Sequence, residues 1–277
     1  MEIAISTFNI DEEIEAGKLD LFEAMKQTHE MGFDAIEFLG NQIPSLEDDY
    51  LERLKLHGKK LNLKICAIDV VNRHFGSNDF ERKNDISLIK FWIKTAAQLE
   101  CPCLVAFLGG FEEEKNRKMQ LRRDIDAFKE CVEFAEKSKV RLAIENHRIW
   151  LRENEWEQEN ETDDILLIVK TINSKYLGAS PDIGNFYKSS FKELSVKQQE
   201  YAYNCFEQLI SVALHIHIKI KNFDEHGKSL QSDFGKLVNV LKKYNYNRTV
   251  TLEFAKPVAE KKDVLHEQGL ALLKKYI

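Results

Sequence analysis

Strand-like segments recur along this chain at a nearly constant interval, and that interval constrains its fold more than any other feature. Eight short, mostly apolar segments begin 28 to 40 residues apart. They begin at Ile3, Ala35, Leu63, Cys103, Val140, Leu177, Ala213 and Thr249. An interval of this length holds one strand, one helix and two short connections. The pattern therefore predicts eight consecutive strand–helix units.

The segments between the strands carry apolar residues at helical spacing, with polar residues on the opposite face. They include "LDLFEAMKQTHEMG", "SLIKFWIKTAAQLE", "RRDIDAFKECVEFAEKSK", "TDDILLIVKTI" and "GKLVNVLKKYN". Gly32 follows the first of them as a helix C-cap would, and Thr162 is expected to cap the N-terminus of another.

Eight nearly continuous apolar strands, each followed by a helix, are typical of a parallel sheet covered on both faces. The pattern predicts an α/β protein with a (β/α)8 TIM barrel, in one domain over residues 1–277. A doubly wound sheet is the second option. It normally has fewer strands and a glycine-rich first turn, and the sequence contains no GxGxxG motif.

Composition excludes several classes of protein. The sequence has 43% hydrophobic residues but no apolar run of 18, so no membrane span is expected. The N-terminus lacks the pattern of a signal peptide, which favours a cytoplasmic location. The five cysteines have no CxxC spacing and are interpreted as reduced structural thiols. The net charge of −6, and seven acids without a base in residues 153–164, disfavour nucleic acid as a partner.

Polar residues close the last four predicted strands. Glu145, Asp182, His217 and Glu253 follow one another at intervals of 35 to 37 residues, which is the repeat of the fold itself. In a barrel, the carboxyl ends of the strands meet at one rim, where active sites lie. Buried carboxylates that lie close together need a cation. We therefore expect these four residues to bind one divalent metal ion, of the Mn, Mg, Co or Zn kind.

Other polar residues near the same rim are weaker candidates. His215 shares a strand face with His217 and is an alternative ligand, although His217 lies nearer the predicted strand end. Lys219, on the same face, is expected either to hold a substrate oxyanion or to be a plain solvated or ion-paired lysine. The remaining candidates for substrate binding, each with a structural alternative, are Asn185, His147, Asn72, His74 and Trp156.

Several motifs resemble the successive signatures of the xylose-isomerase-like TIM barrels, the sugar phosphate isomerase/epimerase family. These motifs are "MGFDAIEF", "AAQLECPCLVAFLGG", "LAIENH", "PDIGNF", "HIHIKI" and "YNRTVTLEF", and they cover nearly the whole chain. The resemblance implies one metal bound by the Glu, Asp, His and Glu named above. It also implies that Glu145 and Glu253 act as the acid/base pair. The family often continues its seventh strand as His-x-Lys-Asp, whereas Ile220 replaces that Asp here.

The expected function is metal-dependent isomerisation or epimerisation of a small keto-sugar or polyol-like substrate, with proton transfer through an enediolate. A metal-dependent dehydratase of a keto acid and a non-catalytic ligand-binding barrel are alternatives. An apurinic-site endonuclease fits less well, because that enzyme has Asp-x-x-His where this chain has Asp182 and Asn185. A small-molecule sugar is the expected partner, without nucleic acid or membrane, and a homo-oligomer is an option that the sequence leaves open.

Overall fold

The structure is a computed structural model of the 277-residue chain. It describes residues 1–72, 75, 78–109, 117–147, 155–186, 194–220, 232–254 and 262–276. The side chains of residues 155–160, 262–264 and 276 are outside this description.

Eight parallel strands form one sheet in the order β6-β5-β4-β3-β2-β1-β8-β7. The strands are β1 (Glu2–Ser6), β2 (Ala35–Leu39), β3 (Lys64–Val70), β4 (Cys103–Phe107), β5 (Arg141–Glu145), β6 (Leu177–Ser180), β7 (His217–Ile220) and β8 (Thr249–Phe254). Seven of the eight predicted strand starts agree with these bounds to within one residue. The first and last strands of the chain are neighbours, which is the arrangement that a (β/α)8 barrel requires, and the predicted fold class is confirmed.

The barrel closes between β6 and β7 through isolated bridges rather than a continuous ladder. Ala179 pairs with Ala213, and Asp182 pairs with His217. The prediction that the seventh strand begins at Ala213 was therefore wrong by four residues. The carbonyl of Ala179 accepts hydrogen bonds from both Leu214 and His215, so two residues of this segment oppose one and regular pairing starts only at His217.

Successive side chains along each strand point to opposite faces of the sheet, so the sheet separates two hydrophobic cores. Ile218 and Ile220 of β7, and Ile216 just before it, belong to the large cluster between the sheet and the helices. A second cluster consists mainly of small residues and fills the inside of the barrel. Its members are Ala4, Ala35, Cys66, Ala67, Cys103, Val105, Phe107, Ala143 and Leu214. Inward-facing residues at the carboxyl ends of the strands lie beyond this cluster. Their side chains therefore point into the mouth of the barrel.

Helices surround the sheet. They are α1 (Asp11–Glu15), α2 (Leu21–Glu30), α3 (Asp48–Leu61), α4 (Asp79–Gln98), α5 (Arg117–Ser138), α6 (Glu155–Ile172), α7 (Val196–Ile210), α8 (Phe234–Lys243) and α9 (Lys262–Tyr276). Gly32 follows α2 with φ of +86°, which confirms its predicted place at the end of that helix. The predicted cap at Thr162 was wrong, because the glutamate- and glutamine-rich segment before it has high helix propensity and α6 begins at Glu155.

Burial also accounts for the cysteines. All five are buried as free thiols, and burial raises the pKa of each of them, for example to about 12 at Cys103. Within the described ranges, no helix has the length and apolar character needed to cross a bilayer.

Gly178 lies at the point where the barrel closes. An added Cβ would lie against the carbonyl oxygen of Val212 and 2.6 Å from Cγ of Leu214. That carbonyl accepts the hydrogen bond from Ala179 that helps to join β6 to the next segment.

We expect Gly178→Ala to lower the free energy of unfolding by about 3 kcal/mol, because the methyl group separates backbone atoms that must stay in contact. Urea denaturation followed by circular dichroism measures this. Gly17→Ala is the control: Gly17 has φ of +65° but no described atom within 4 Å of an added Cβ, so we expect a loss of only about 1 kcal/mol. Equal losses in the two variants would contradict the closure argument.

Candidate functional site

Four strand-end residues come together in the mouth of the barrel. Glu145 is the last residue of β5, Asp182 follows β6 by two residues, and Glu253 is the next-to-last residue of β8. His217 was predicted at the end of its strand but is the first residue of β7, because regular pairing of that strand starts late. The Nδ1 atom of His217 lies 3.3 Å from Oε2 of Glu145 and 3.7 Å from Oε1 of Glu253.

These residues form a candidate metal centre. Glu145, Asp182 and His217 each offer one ligand atom, and these atoms lie within 4.8 Å of one another. Among the described residues, Nδ1 of His217 has no hydrogen-bond partner of good geometry, although it is fully buried. A buried ring nitrogen directed at carboxylates matches the nitrogen and oxygen ligands of a divalent cation. The residues present therefore fit a metal ion.

Glu37, the third residue of β2, contacts Nε2, the other ring nitrogen of His217. The sequence analysis missed this residue. Its Oε2 lies 3.0 Å from Nε2 of His217, 2.6 Å from Nε2 of His215 and 3.2 Å from Oγ1 of Thr251. A carboxylate that engages one ring nitrogen directs the other towards the metal, a common arrangement around metal-binding histidines. The glutamate in the motif "MGFDAIEF" could have indicated this residue, because it lies on an inward-facing strand position.

Asp69 adds a further carboxyl group to the mouth. It lies on β3, and one of its oxygens is within 4.8 Å of ligand atoms of Glu37 and Glu253. Burial, and the nearby carboxylates of Glu145 and Glu37, raise the pKa of Asp69 well above its ordinary value. The sequence analysis missed this residue too, since it placed no function at the end of the third strand itself.

Burial and charge act against each other throughout the cluster. Burial raises the pKa of Glu145 to about 7, although His217 partly offsets this. Burial opposes the charged form of His217, yet the carboxylates of Glu37, Glu253 and Glu145 raise its pKa well above the ordinary value. The pKa of Glu37 is held below its usual range, because its bonds to the two histidines outweigh its burial. Glu37 and His217 thus form a buried ion pair.

The ammonium of Lys219 lies among the proposed metal ligands. Its Nζ is 2.8 Å from Oδ2 of Asp182 and 3.1 Å from Oε2 of Glu253. It also donates a hydrogen bond of 2.9 Å to Oδ1 of Asn185, whose amide donates to Oε1 of Glu145 at 2.6 Å. Burial disfavours the ammonium, but Asp182 and Glu253 overcome this and raise its pKa. Of its two expected roles, Lys219 has the ion pair in this structure.

Asparagine side chains extend the sheet beyond three of its strand ends. Asn146, after β5, donates to the carbonyl of Asp182 at 3.0 Å and accepts from its amide at 2.8 Å. Asn72, after β3, forms the same pair of bonds with Phe107, and Asn9, after β1, bonds with the end of β8. Each side chain thus replaces a pair of backbone hydrogen bonds. Asn72 was expected to line the substrate pocket, and its amide instead joins β3 to β4.

The other predicted substrate residues have varied positions. His215 forms, with Glu37 and His217, another group whose ligand atoms lie within 4.8 Å of one another and could hold a metal ion, and its Nε2 contacts Glu37 and Thr251. His147 stacks on the ring of Phe107, with ring centroids 4.5 Å apart. His74 and the side chain of Trp156 lie outside the described residues.

The ion pair of Glu37 predicts a pH-dependent effect on stability in metal-free protein. The pKa of Glu37 is lowered by folding, so its contribution is present above the ordinary value of 4.5 and is lost as pH falls. The pKa of His217 is raised, so its contribution is complete below its ordinary value of 6.5 and is lost as pH rises through the raised value. The pair should therefore stabilise most between these two ordinary values.

We expect Glu37→Gln to lower the free energy of unfolding by about 3 kcal/mol in that pH window, because the buried imidazolium loses its nearest anion. The difference from the wild type should shrink in more acidic solution. Urea titrations in the presence of a chelator, repeated between about pH 3 and pH 7, measure this. A difference that stays constant across that range would contradict the ion pair.

Several known structures have folds similar to that of this chain. A D-tagatose 3-epimerase-like protein is 20% identical, with a TM-score of 0.72 over 100% of this chain and 97% of that chain. A D-psicose 3-epimerase from Clostridium cellulolyticum H10, solved with D-tagatose, is 16% identical, with a TM-score of 0.73 over 100% of this chain and 98% of that chain. The IolI protein, solved with a bound zinc atom, is 17% identical, with a TM-score of 0.73 over 100% and 99%.

The TM-scores of 0.72 and 0.73 establish a shared fold, and sequence identities of 20% or less show no more than the fold. No curated protein sequence matches the chain. The family model for the xylose isomerase-like TIM barrel matches residues 25–276, which is nearly the full length. The resemblance noted in the sequence motifs is confirmed: this chain belongs to the xylose isomerase-like TIM barrel family.

Proposed function

We propose that this protein is a divalent-metal-dependent isomerase or epimerase of a small keto-sugar or polyol-like substrate. The observation that carries the proposal is the convergence of Glu145 and Glu253 on Nδ1 of His217, at 3.3 and 3.7 Å. Two buried carboxylates around one ligand nitrogen offer two proton-transfer groups next to a cation site. The sugar epimerases among the structural neighbours support a sugar as the substrate class.

In this proposal, Glu145, Asp182, His217 and Glu253 hold one divalent metal ion of the Mn, Mg, Co or Zn kind. The bound zinc atom of IolI supports a metal on this fold. A cation held there would polarise the carbonyl of a ketose and make the neighbouring C–H more acidic. In this proposal, side chains of the protein carry out the proton transfers.

Glu145 and Glu253 are the proposed acid/base pair. One carboxylate removes the proton from the carbon next to the carbonyl, giving an enediolate, and a carboxylic acid on the other side returns a proton. Asn185 donates to Oε1 of Glu145 and fixes the orientation of that carboxylate.

The surrounding chain positions this pair. Asn146 fixes the backbone of Asp182 with two hydrogen bonds, and Glu37 fixes the ring of His217. His147, beside this site, is proposed to contact the substrate, as are Lys219 and Asn185. We further propose a single domain over residues 1–277, a cytoplasmic location and no nucleic-acid or membrane partner.

Isotope exchange tests the proposal. Protein with Mn²⁺ is incubated with a panel of ketoses in deuterated water, and NMR detects deuterium at carbon. We expect label in at least one ketose. We expect Glu145→Gln and Glu253→Gln to lower the exchange rate by about 10²-fold or more, since each removes a proton-transfer group.

Asp85→Asn is the control, because it replaces a buried carboxylate on α4 rather than at the strand ends. It should retain exchange at the wild-type rate. A keto acid that loses water in the same assay would indicate the dehydratase alternative. The absence of label in every ketose and keto acid would favour a non-catalytic ligand-binding barrel and refute the enzyme.

A further inference from the structure

Lys219 occupies the position that a cation shared by Asp182 and Glu253 would take. An ammonium group has three donors and no acceptor. Three oxygens surround Nζ of Lys219 at 2.8 to 3.1 Å: Oδ2 of Asp182, Oε2 of Glu253 and Oδ1 of Asn185. The contact with Asn185 is a hydrogen bond, and the two contacts with carboxylates are ion pairs with proposed metal ligands.

The backbone is shaped to hold this lysine in place. Lys219 pairs with Glu253 in the ladder between β7 and β8, which brings their side chains to the same level of the barrel. Gly184, in the short turn after Asp182, lies directly against the stem of Lys219. A Cβ on that glycine would lie 2.5 Å from Cβ of Lys219 and 3.0 Å from its Cγ and Cδ. The buried lysine thus depends on a residue without a side chain.

In the metal-free protein, the positive charge of Lys219 balances negative charge in the mouth of the barrel. Glu145, Asp182, Glu253 and Asp69 all place carboxyl groups in the buried mouth of the barrel. Buried carboxylates without a cation are strongly unfavourable, and removing one partner of a buried ion pair leaves the other uncompensated. Lys219 supplies positive charge directly to Asp182 and Glu253. A divalent cation bound by the same two residues would compete with it.

We infer that Lys219 is an internal counter-ion, which holds Asp182 and Glu253 in the metal-free protein and releases them when a divalent cation binds. The inference rests on the metal site of the proposed function. The site then has two states, one held by the lysine and one held by the metal. The lysine stabilises the first state and so weakens metal binding, since it must give up two buried ion pairs before the carboxylates can bind a cation.

Calorimetric titration of chelator-treated protein with Mn²⁺ tests this inference. Lys219→Met removes the charge and keeps the length of the stem, and Lys219→Gln removes the charge but keeps a donor. We expect both variants to bind Mn²⁺ about tenfold more tightly than the wild type, or better, because no ammonium must be displaced. Lys243→Met removes an exposed lysine that pairs with Glu207 on the outside of the barrel, and should leave the affinity unchanged.

Thermal unfolding supplies a second measurement. Without metal, both Lys219 variants should have a lower Tm than the wild type, because the carboxylates lose their counter-ion. With saturating Mn²⁺ the difference should shrink or reverse. A Lys219→Met chain that folds only when Mn²⁺ is added would also support the inference, and Lys219→Gln decides the matter if Lys219→Met does not fold in either condition.

Two other outcomes separate this inference from the proposed function. Wild-type protein that binds Mn²⁺, with equal or weaker binding by both Lys219 variants, would overturn the role of Lys219 and leave the metal site intact. Folded wild-type and variant proteins that all fail to bind Mn²⁺ would refute the metal site, and the inference with it.

Discussion

The mouth of this barrel concentrates negative charge in a buried space, and the need to balance that charge organises the residues around it. Glu37, Asp69, Glu145, Asp182 and Glu253 are all buried there. Burial disfavours each charged carboxylate, so every one that stays ionised needs a cation or strong donors nearby. His217 and Lys219 supply positive charge, and the amide of Asn185 joins Glu145 to the lysine.

The balance of buried charge in the mouth of the barrel links the fold to the proposed chemistry. In the proposed function, the carboxylates that are costly to bury without a cation serve as metal ligands and proton carriers. The small residues inside the barrel leave room for the imidazoles, and Asn146 replaces backbone bonds where β5 ends so that Asp182 is fixed beyond β6. A site of this kind needs rigid support, because a ligand displaced by an ångström loses its geometry.

Sequence reasoning found the barrel and the four strand-end residues because both depend on spacing along the chain. A strand–helix repeat fixes how often the chain returns to the rim, and alternation within a strand fixes which side chains point inward. It missed Glu37 and Asp69, whose strands were read only as apolar, and it misplaced the start of the seventh strand. The carbonyl of Ala179 accepts two hydrogen bonds, and regular pairing of β7 therefore starts later in the chain than predicted. This is a tertiary contact that no sequence pattern indicates.

The sequence by itself determined the number of strands and the residues that can reach the rim, because these follow from periodicity and local residue type, and its motifs indicated the family by their resemblance. Only the tertiary structure decided what each polar side chain contacts there. Lys219 could have pointed to a substrate, yet Gly184 and the ladder with β8 place it on Asp182 and Glu253. Contacts of this kind join residues far apart in the chain, and their partners are fixed by distance and charge inside the closed barrel.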